Sequence, residues 1–217
     1  FIPAYKEDAI IVDTARKALL QRYPLNQFDI FIIADSLKEH TLKELKKMPI
    51  KLIEVNFEQS TKAKAINENY SRINSHYDII VVLDADNVME NGFLHKINDS
   101  FCQGNVAMQA HQVAKNNENE LALMDGVSEE INNHIFRKGH QVAGLSSALI
   151  GSGMAFDFHL FKKYMSEINA VGGFDKALEL ALLRDGVKIS YRENTYVDDE
   201  KVSDNKTFTR QRTRWFA

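Results

Sequence analysis

The chain has 217 residues, of which 44% are hydrophobic and 26% charged, and a net charge of −3. This is enough apolar material for one large α/β domain or two small ones around a buried core, and the charge balance gives no general case for nucleic-acid binding. The one cysteine, Cys102, excludes an internal disulfide and Cys-rich zinc sites, and no run approaches the ~18 apolar residues of a membrane span or forms a signal peptide.

In chain order, "FIPAY" has the pattern of a strand tail, and residues 7–22, "EDAIIVDTARKALLQR", that of an amphipathic helix. "FDIFIIAD" (28–35) is a short apolar run ending in Asp, the mark of a buried parallel strand. A helix at "TLKELKKM" and a strand at "IKLIEVNF" (50–57) follow. "STKAKAINENYSRIN" predicts a helix with Ser60 as its N-cap. "YDIIVVLD" (77–84) is the clearest strand, with a helix next at about 91–101 and a strand at 105–112. A long helical stretch covers 118–138, and "GLSSALIGSGMAF" (144–156) is rich in small residues but too apolar for a linker. "FDKALELALLRDG" predicts a helix stopped by Gly186. "VKISY" and "TYVDDE" predict two short strands, and a basic helix closes the chain.

This alternation predicts an α/β fold, a single domain with a mostly parallel but mixed, Rossmann-like sheet covered by helices. Crossovers in such sheets are right-handed, and ligands bind beyond the carboxyl ends of the strands. Phe1 in a strand tail and "QRTRWFA" inside a helical stretch make a fragment of a longer chain the expectation. Basic residues gather late, at Lys201, Lys206, Arg210, Arg212 and Arg214, which keeps a local anionic partner open.

"VVLDADN" (81–87) drives a buried strand into two carboxylates, Asp84 and Asp86. Residues i and i+2 of an extended chain share a face. Like charges ~4 Å apart cost about 4 kcal/mol at an effective dielectric of ~20. A divalent cation relieves this, and with only oxygen ligands at hand Mg²⁺ or Mn²⁺ suits. The alternative is a plain turn, in which Asp and Asn side chains bond nearby backbone.

Several fragments fall in a shared order: "FIPAYKED", "ADS", "KAKAIN", "LDADN", "GSGMAF", "DKALELALLRDG" and "QRTRW". Together they resemble family 2 glycosyltransferases of the GT-A type, over essentially the whole chain. The likeness is to the membrane-associated bacterial branch that includes cellulose, hyaluronan and poly-N-acetylglucosamine synthases. It implies a nucleotide-sugar-binding half at about 1–115 and an acceptor half at about 116–217.

The resemblance implies roles residue by residue. Pro3, Tyr5 and Glu7 lie in the first-strand motif bordering base and ribose, where Lys6 replaces the usual Asn. Asp35 matches the carboxylate that accepts from the uracil N3–H. Lys62 matches the lysine near the diphosphate. Asp84 stands near ribose and metal, and Asp86 is the direct metal ligand. Gly151, Ser152 and Gly153 form the acceptor-side motif. Asp175 takes the place of the general base, with Glu179 one turn later as the other candidate, and Phe174 stands where an acid is common. Gln211, Arg214 and Trp215 share one helical face, Arg for diphosphate and Trp as a wall for a sugar ring. In "VDDEK" (197–201), Glu200 either helps hold a gating loop or belongs to a solvated turn.

The implied activity is inverting, Mg²⁺- or Mn²⁺-dependent transfer from a UDP-sugar to a hydroxyl acceptor such as a glycan. The expected setting is polysaccharide or cell-surface glycan synthesis at the cytoplasmic face of the cell membrane, with no nucleic-acid partner and membrane segments outside this chain. One alternative is a non-catalytic nucleotide-sugar-binding regulatory domain, which the altered "FDK" favours. Another is a sugar-phosphate nucleotidyltransferase, which needs a Gly-rich loop near the first strand that "FIPAYKED" lacks.

Overall fold

The computed structural model describes residues 1–73, 76–204, 208–209 and 213. Strands β1 (Ile2–Tyr5), β2 (Phe31–Asp35) and β3 (Lys51–Val55) pair in parallel in that order. Strands β4 (Ile79–Val82), β5 (Val88–Met89), β6 (Ala107–Ala114), β7 (Met154–Asp157) and β8 (Ser190–Asp199) form a second set, in the order β4-β7-β6-β8-β5. Phe1 joins the two sets. Its nitrogen donates to the Val81 carbonyl at 2.6 Å, and Leu83 N–H donates to the Phe1 carbonyl at 3.0 Å. This is the bonding of a parallel pair, so β1 lies beside β4 and the sheet is continuous.

Helices cover both faces, which is why β2 is buried along its whole length. On one face, Ile11 and Ala15 of α1 (Ile11–Leu19), Leu45 of α2 (Glu39–Leu45), and Phe93 and Ile97 of α4 (Phe93–Cys102) pack with Leu83 and Ala85. On the other face lie Ile66 of α3 (Lys62–Arg72), Phe161 of α7 (Phe158–Met165) and Leu178 of α8 (Phe174–Arg184), packed on Ile80 and Val82. Consecutive β4 residues thus feed opposite cores. Phe156 and Phe161 stack at 4.8 Å with no exposure; truncating either to Ala would cost about 3–5 kcal/mol.

The sheet is mixed, as expected, because β7 runs antiparallel to both β4 and β6, and β5 antiparallel to β8. Three other features depart from the sequence reading. The cap of α3 is Thr61, whose hydroxyl accepts from Lys64 N–H at 3.2 Å, rather than Ser60. "VKISY" and "TYVDDE" are one strand: Arg192 faces Ala110 and Tyr196 faces His111, so 193–195 bulge from the ladder. Helix α7 was not anticipated, yet Asp157 caps it by accepting from Leu160 N–H at 2.8 Å, and Phe158, Phe161, Tyr164 and Met165 form its buried side. The long stretch before β7 is α5 (Glu120–Asn132), which runs on as a π-helical segment (Asn133–Gly139) into α6 (His140–Val142). Among the described residues no helix is long and apolar enough to cross a membrane.

Candidate active site

Beyond the carboxyl end of β4 the chain folds back, with Asn87 N–H donating to the Asp84 carbonyl at 3.2 Å. The side chain of Asn87, 2% exposed, holds this turn together. Its oxygen accepts from Asp84 N–H at 3.2 Å and from the Ser152 hydroxyl. Its amide donates to Asp86 Oδ1 at 3.2 Å and to Asp199 Oδ1 at 2.8 Å. Thr14 of α1 ties down the Ala85 carbonyl at 2.6 Å. The turn and the paired carboxylates are therefore both present: Asn87 makes the turn and leaves the two acids at its rim.

Lys62 opens α3 and points back to the same place. Its ammonium pairs with Asp84 Oδ1 and donates to the Gly151 carbonyl at 2.7 Å. It also lies 5.5 Å from the centre of the Phe174 ring, a cation–π contact. Phe174, in the position where an acid is common, thus forms one wall beside the lysine.

The 151–153 loop needs its glycines. Gly151 has φ +86° and Gly153 φ +62°, a region other residues enter at a cost. A Cβ on Gly151 would stand 3.6 Å from Asp175 Cγ, so this loop and the start of α8 are in close approach. Ser152 is fully buried and accepts from Asp84 N–H at 2.9 Å. Gln109 of β6, also fully buried, clamps the loop from below. Its amide donates to Ser152 O at 2.9 Å and Gly153 O at 3.2 Å, and its oxygen accepts from Ile150 N–H at 3.1 Å.

Asp175 sits in the first turn of α8. Its carboxyl is pushed above the usual carboxylate range by burial, against the pull of Lys176 and Lys62. Glu179 is engaged elsewhere: its Oε2 accepts from Leu149 N–H at 2.8 Å and from Lys176 Nζ at 2.9 Å. Lys176 also donates to the Leu149 carbonyl at 2.6 Å. Glu179 and Lys176 therefore brace the chain entering the glycine loop.

At the other end of the site, Tyr5 and Asp35 are register partners at the ends of β1 and β2, so their side chains leave the same face. Tyr5 is 49% exposed and Asp35 only 2%, with Ser36 Oγ donating to Asp35 Oδ1 at 2.9 Å. Pro3 lies within β1 opposite Ile33. The Glu7 carbonyl accepts from Ile10 and Ile11 N–H, starting α1. Its carboxyl is pushed up by burial and then by the nearby charge of Asp84. Gln211, Arg214 and Trp215 lie outside the described residues.

The carboxylates share one environment. Asp86 is pushed up to about 7, first by burial and then by the charges of Asp199 and Asp84. Asp199 is also raised by burial, although Lys201 Nζ donates to its Oδ2 at 2.7 Å. Among the described residues no three His, Cys, Asp or Glu side chains are grouped to hold an ion alone. Asp84 and Asp86 nevertheless offer hard oxygen donors whose mutual repulsion a cation would relieve. They fit a Mg²⁺- or Mn²⁺-like ion that takes the rest of its shell from phosphate and water. Asn87, Gln109 and Asp199 were not singled out from sequence as site residues; Asn87 and Asp199 lay inside quoted motifs, whereas Gln109 gave no signal in an ordinary strand.

A family model described as "Glycosyltransferase like family 2" matches residues 1–217. Comparison with curated proteins gives no match. Among solved structures, the chain resembles the mannosyltransferase PcManGT from Pyrobaculum calidifontis in complex with GDP-Man and Mn²⁺. The TM-score is 0.70 at 14% identity, over 98% of this chain and 59% of that one. It also resembles S. aureus TarS 1-349 in complex with UDP-GlcNAc, with TM-score 0.61 at 12% identity, over 93% of this chain and 58% of that one. The chain thus spans less than two thirds of either structure, and these likenesses establish the fold.

Proposed function

The chain belongs to the family 2-like glycosyltransferases, with the GT-A fold, and from that premise we propose that it transfers a sugar from a UDP-sugar to a hydroxyl acceptor with inversion. The observation carrying this reading is the convergence at one sheet edge of Lys62, Asp84, Asp86, the 151–153 loop and Asp175. In this reading residues 1–115 form the nucleotide-sugar half and 116–217 the acceptor half.

Asp35 and Tyr5 hold the base, with Asp35 accepting from the ring N–H and Tyr5 packing on its plane. Lys62 faces the diphosphate, and Pro3 and Glu7 shape the loop beside the ribose. Asp84 and Asp86 hold the divalent ion, which when bound stabilises the negative charge gathering on the departing diphosphate. Gly151, Ser152 and Gly153 form the acceptor wall. The acceptor oxygen forms its bond to the anomeric carbon as the bond to the diphosphate oxygen breaks, and the hydroxyl proton goes to Asp175. A single displacement of this kind inverts the centre. The raised affinity of Asp175 for a proton supports the base role, and the commitments of Glu179 favour Asp175 over it. Gln211, Arg214 and Trp215 complete the diphosphate and sugar side by family resemblance. The proposed setting is glycan synthesis at the cytoplasmic face of a membrane, which that resemblance supports.

The test is nucleoside diphosphate release, UDP from a panel of UDP-sugars and GDP from GDP-mannose, in Mg²⁺ or Mn²⁺, for the parent and Asp86→Asn. Turnover that Asp86→Asn abolishes is expected. Full activity in Asp86→Asn would sink the metal assignment, and binding without turnover in the parent would instead support a regulatory domain.

A further inference from the structure

The turn that carries Asp84 and Asp86 is held by more than its one backbone bond, from Asn87 N–H to the Asp84 carbonyl. Every polar atom of the buried Asn87 side chain is used: the oxygen by Asp84 N–H and Ser152, the amide by Asp86 and Asp199. Behind Asn87, Asp199 is held in turn by Lys201, only 6% exposed. Lys201 has its own backbone anchored on both sides, with its N–H donating to Asn116 Oδ1 at 2.6 Å and its carbonyl accepting from Asn116 Nδ2 at 2.9 Å. Lys115 N–H adds a bond to the Asp199 carbonyl at 2.8 Å. An uninterrupted chain of bonds therefore runs from the donor-site acids, through Asn87, to the end of β8.

We propose that Asn87, backed by Asp199 and Lys201, is the positioning residue of the donor site, setting the separation and aim of Asp84 and Asp86 from behind. An amide suits this place and a carboxylate does not. Asn87 must donate to two carboxylates and accept from an N–H and a hydroxyl at once, which only a group with both donors and acceptors can do. Replacing a residue that orients metal ligands typically costs 10–100-fold in metal affinity or activity. The inference rests on the donor-site reading above, and each can fail separately.

The test uses Mn²⁺ itself, followed by electron paramagnetic resonance of the free ion in the presence of UDP, beside thermal melts. Asp86→Asn tests the reading: the parent binds Mn²⁺ and this variant does not. Asn87→Ala tests the inference, with Mn²⁺ affinity expected to fall ~10-fold or more while the folded spectrum is kept. Asp199→Asn, which leaves an oxygen for Asn87 to bond and preserves shape, should fall between Asn87→Ala and the parent. It is also the measure to use should Asn87→Ala not fold. Parent-like Mn²⁺ affinity in folded Asn87→Ala, or in Asp199→Asn where it stands in, overturns the inference. So does a loss in melting temperature alone. A parent that binds no Mn²⁺ overturns the reading and the inference with it.

Discussion

The Lys62 ammonium bonds the Gly151 carbonyl at 2.7 Å while pairing with Asp84, so one side chain ties the β4 turn to the glycine loop. The Lys62 side chain is 22% exposed and that of Asp84 46%, so the ion pair alone is worth little. The charge-assisted bond to a carbonyl is worth more, about 1.5–3 kcal/mol. Lys62→Met should therefore lower stability by roughly 1–3 kcal/mol in denaturant titration and weaken UDP binding by calorimetry. Unchanged UDP affinity would remove Lys62 from the diphosphate side.

Asp86 makes the stability of the ion-free protein depend on pH. Its folded value, about 7, lies above the ordinary carboxylate value of 3.8. The folded state therefore holds a proton that the unfolded state releases between those limits. Stability is greatest below about pH 4 as far as this group is concerned, and is lost as pH rises through 7. Asp175 and Asp199 are shifted in the same direction and add to the slope. Calorimetry in chelator at pH 5.5 and pH 8 should give the higher melting temperature at pH 5.5. Asp86→Asn should flatten part of that difference. A divalent ion favours the ionised carboxylate, so the ion's own stabilising effect should grow over the same interval.

The elements that were legible in the sequence are those whose signal is local. β2 and β4 are apolar runs ending in Asp, and α3 and α8 have a clear period with a cap or a stop. Of the candidate site, Asp84, Asp86, Lys62, the 151–153 loop and Asp175 each sit in a short motif, and the structure brings them together. What escaped depends on distant partners. The direction of β7 is set by its pairing with β4 and β6, and nothing within "MAFD" encodes it. Gln109 borders the candidate site because the 151–153 loop folds down onto β6, and a buried Gln in a strand has no sequence mark. Ser60 and Thr61 are both common cap types, and which of them caps α3 is decided by the start of the helix, where Lys64 N–H donates to the Thr61 hydroxyl.

Asp175 and Glu179 should separate cleanly in kinetics. Asp175 is raised by burial at the start of α8, whereas Glu179 spends its Oε2 on Leu149 N–H and Lys176. Asp175→Asn should lower kcat by ~10²–10⁴ and leave UDP affinity intact. Glu179→Gln keeps an oxygen for Leu149 N–H but loses the charge facing Lys176, so it should cost stability by about 1 kcal/mol and retain most of kcat. The reverse pattern would transfer the base role to Glu179.

Lys6 carries backbone strain that a single substitution should relieve. Its φ is +59°, just beyond β1, where its N–H donates to the Asp35 carbonyl at 3.1 Å and so locks the conformation. For a residue with an ordinary side chain this region costs roughly 1–2 kcal/mol, and Asn tolerates it better. The family pattern that this chain resembles has Asn here. Against the gain stands the Lys6 ammonium 4.9 Å from the Tyr5 ring centre, a fully exposed and therefore weak contact. Lys6→Asn should thus raise the melting temperature by roughly 1–3 °C, given ~2–4 °C per kcal/mol for a chain of this size. The Lys6–Asp35 backbone bond is kept, so the ends of β1 and β2, and the pairing of Tyr5 with Asp35, should not move. UDP affinity then reads the other half of the argument: it should hold or improve as Tyr5 is freed from the ammonium. A lower melting temperature in Lys6→Asn would mean that the lysine contact outweighs the strain.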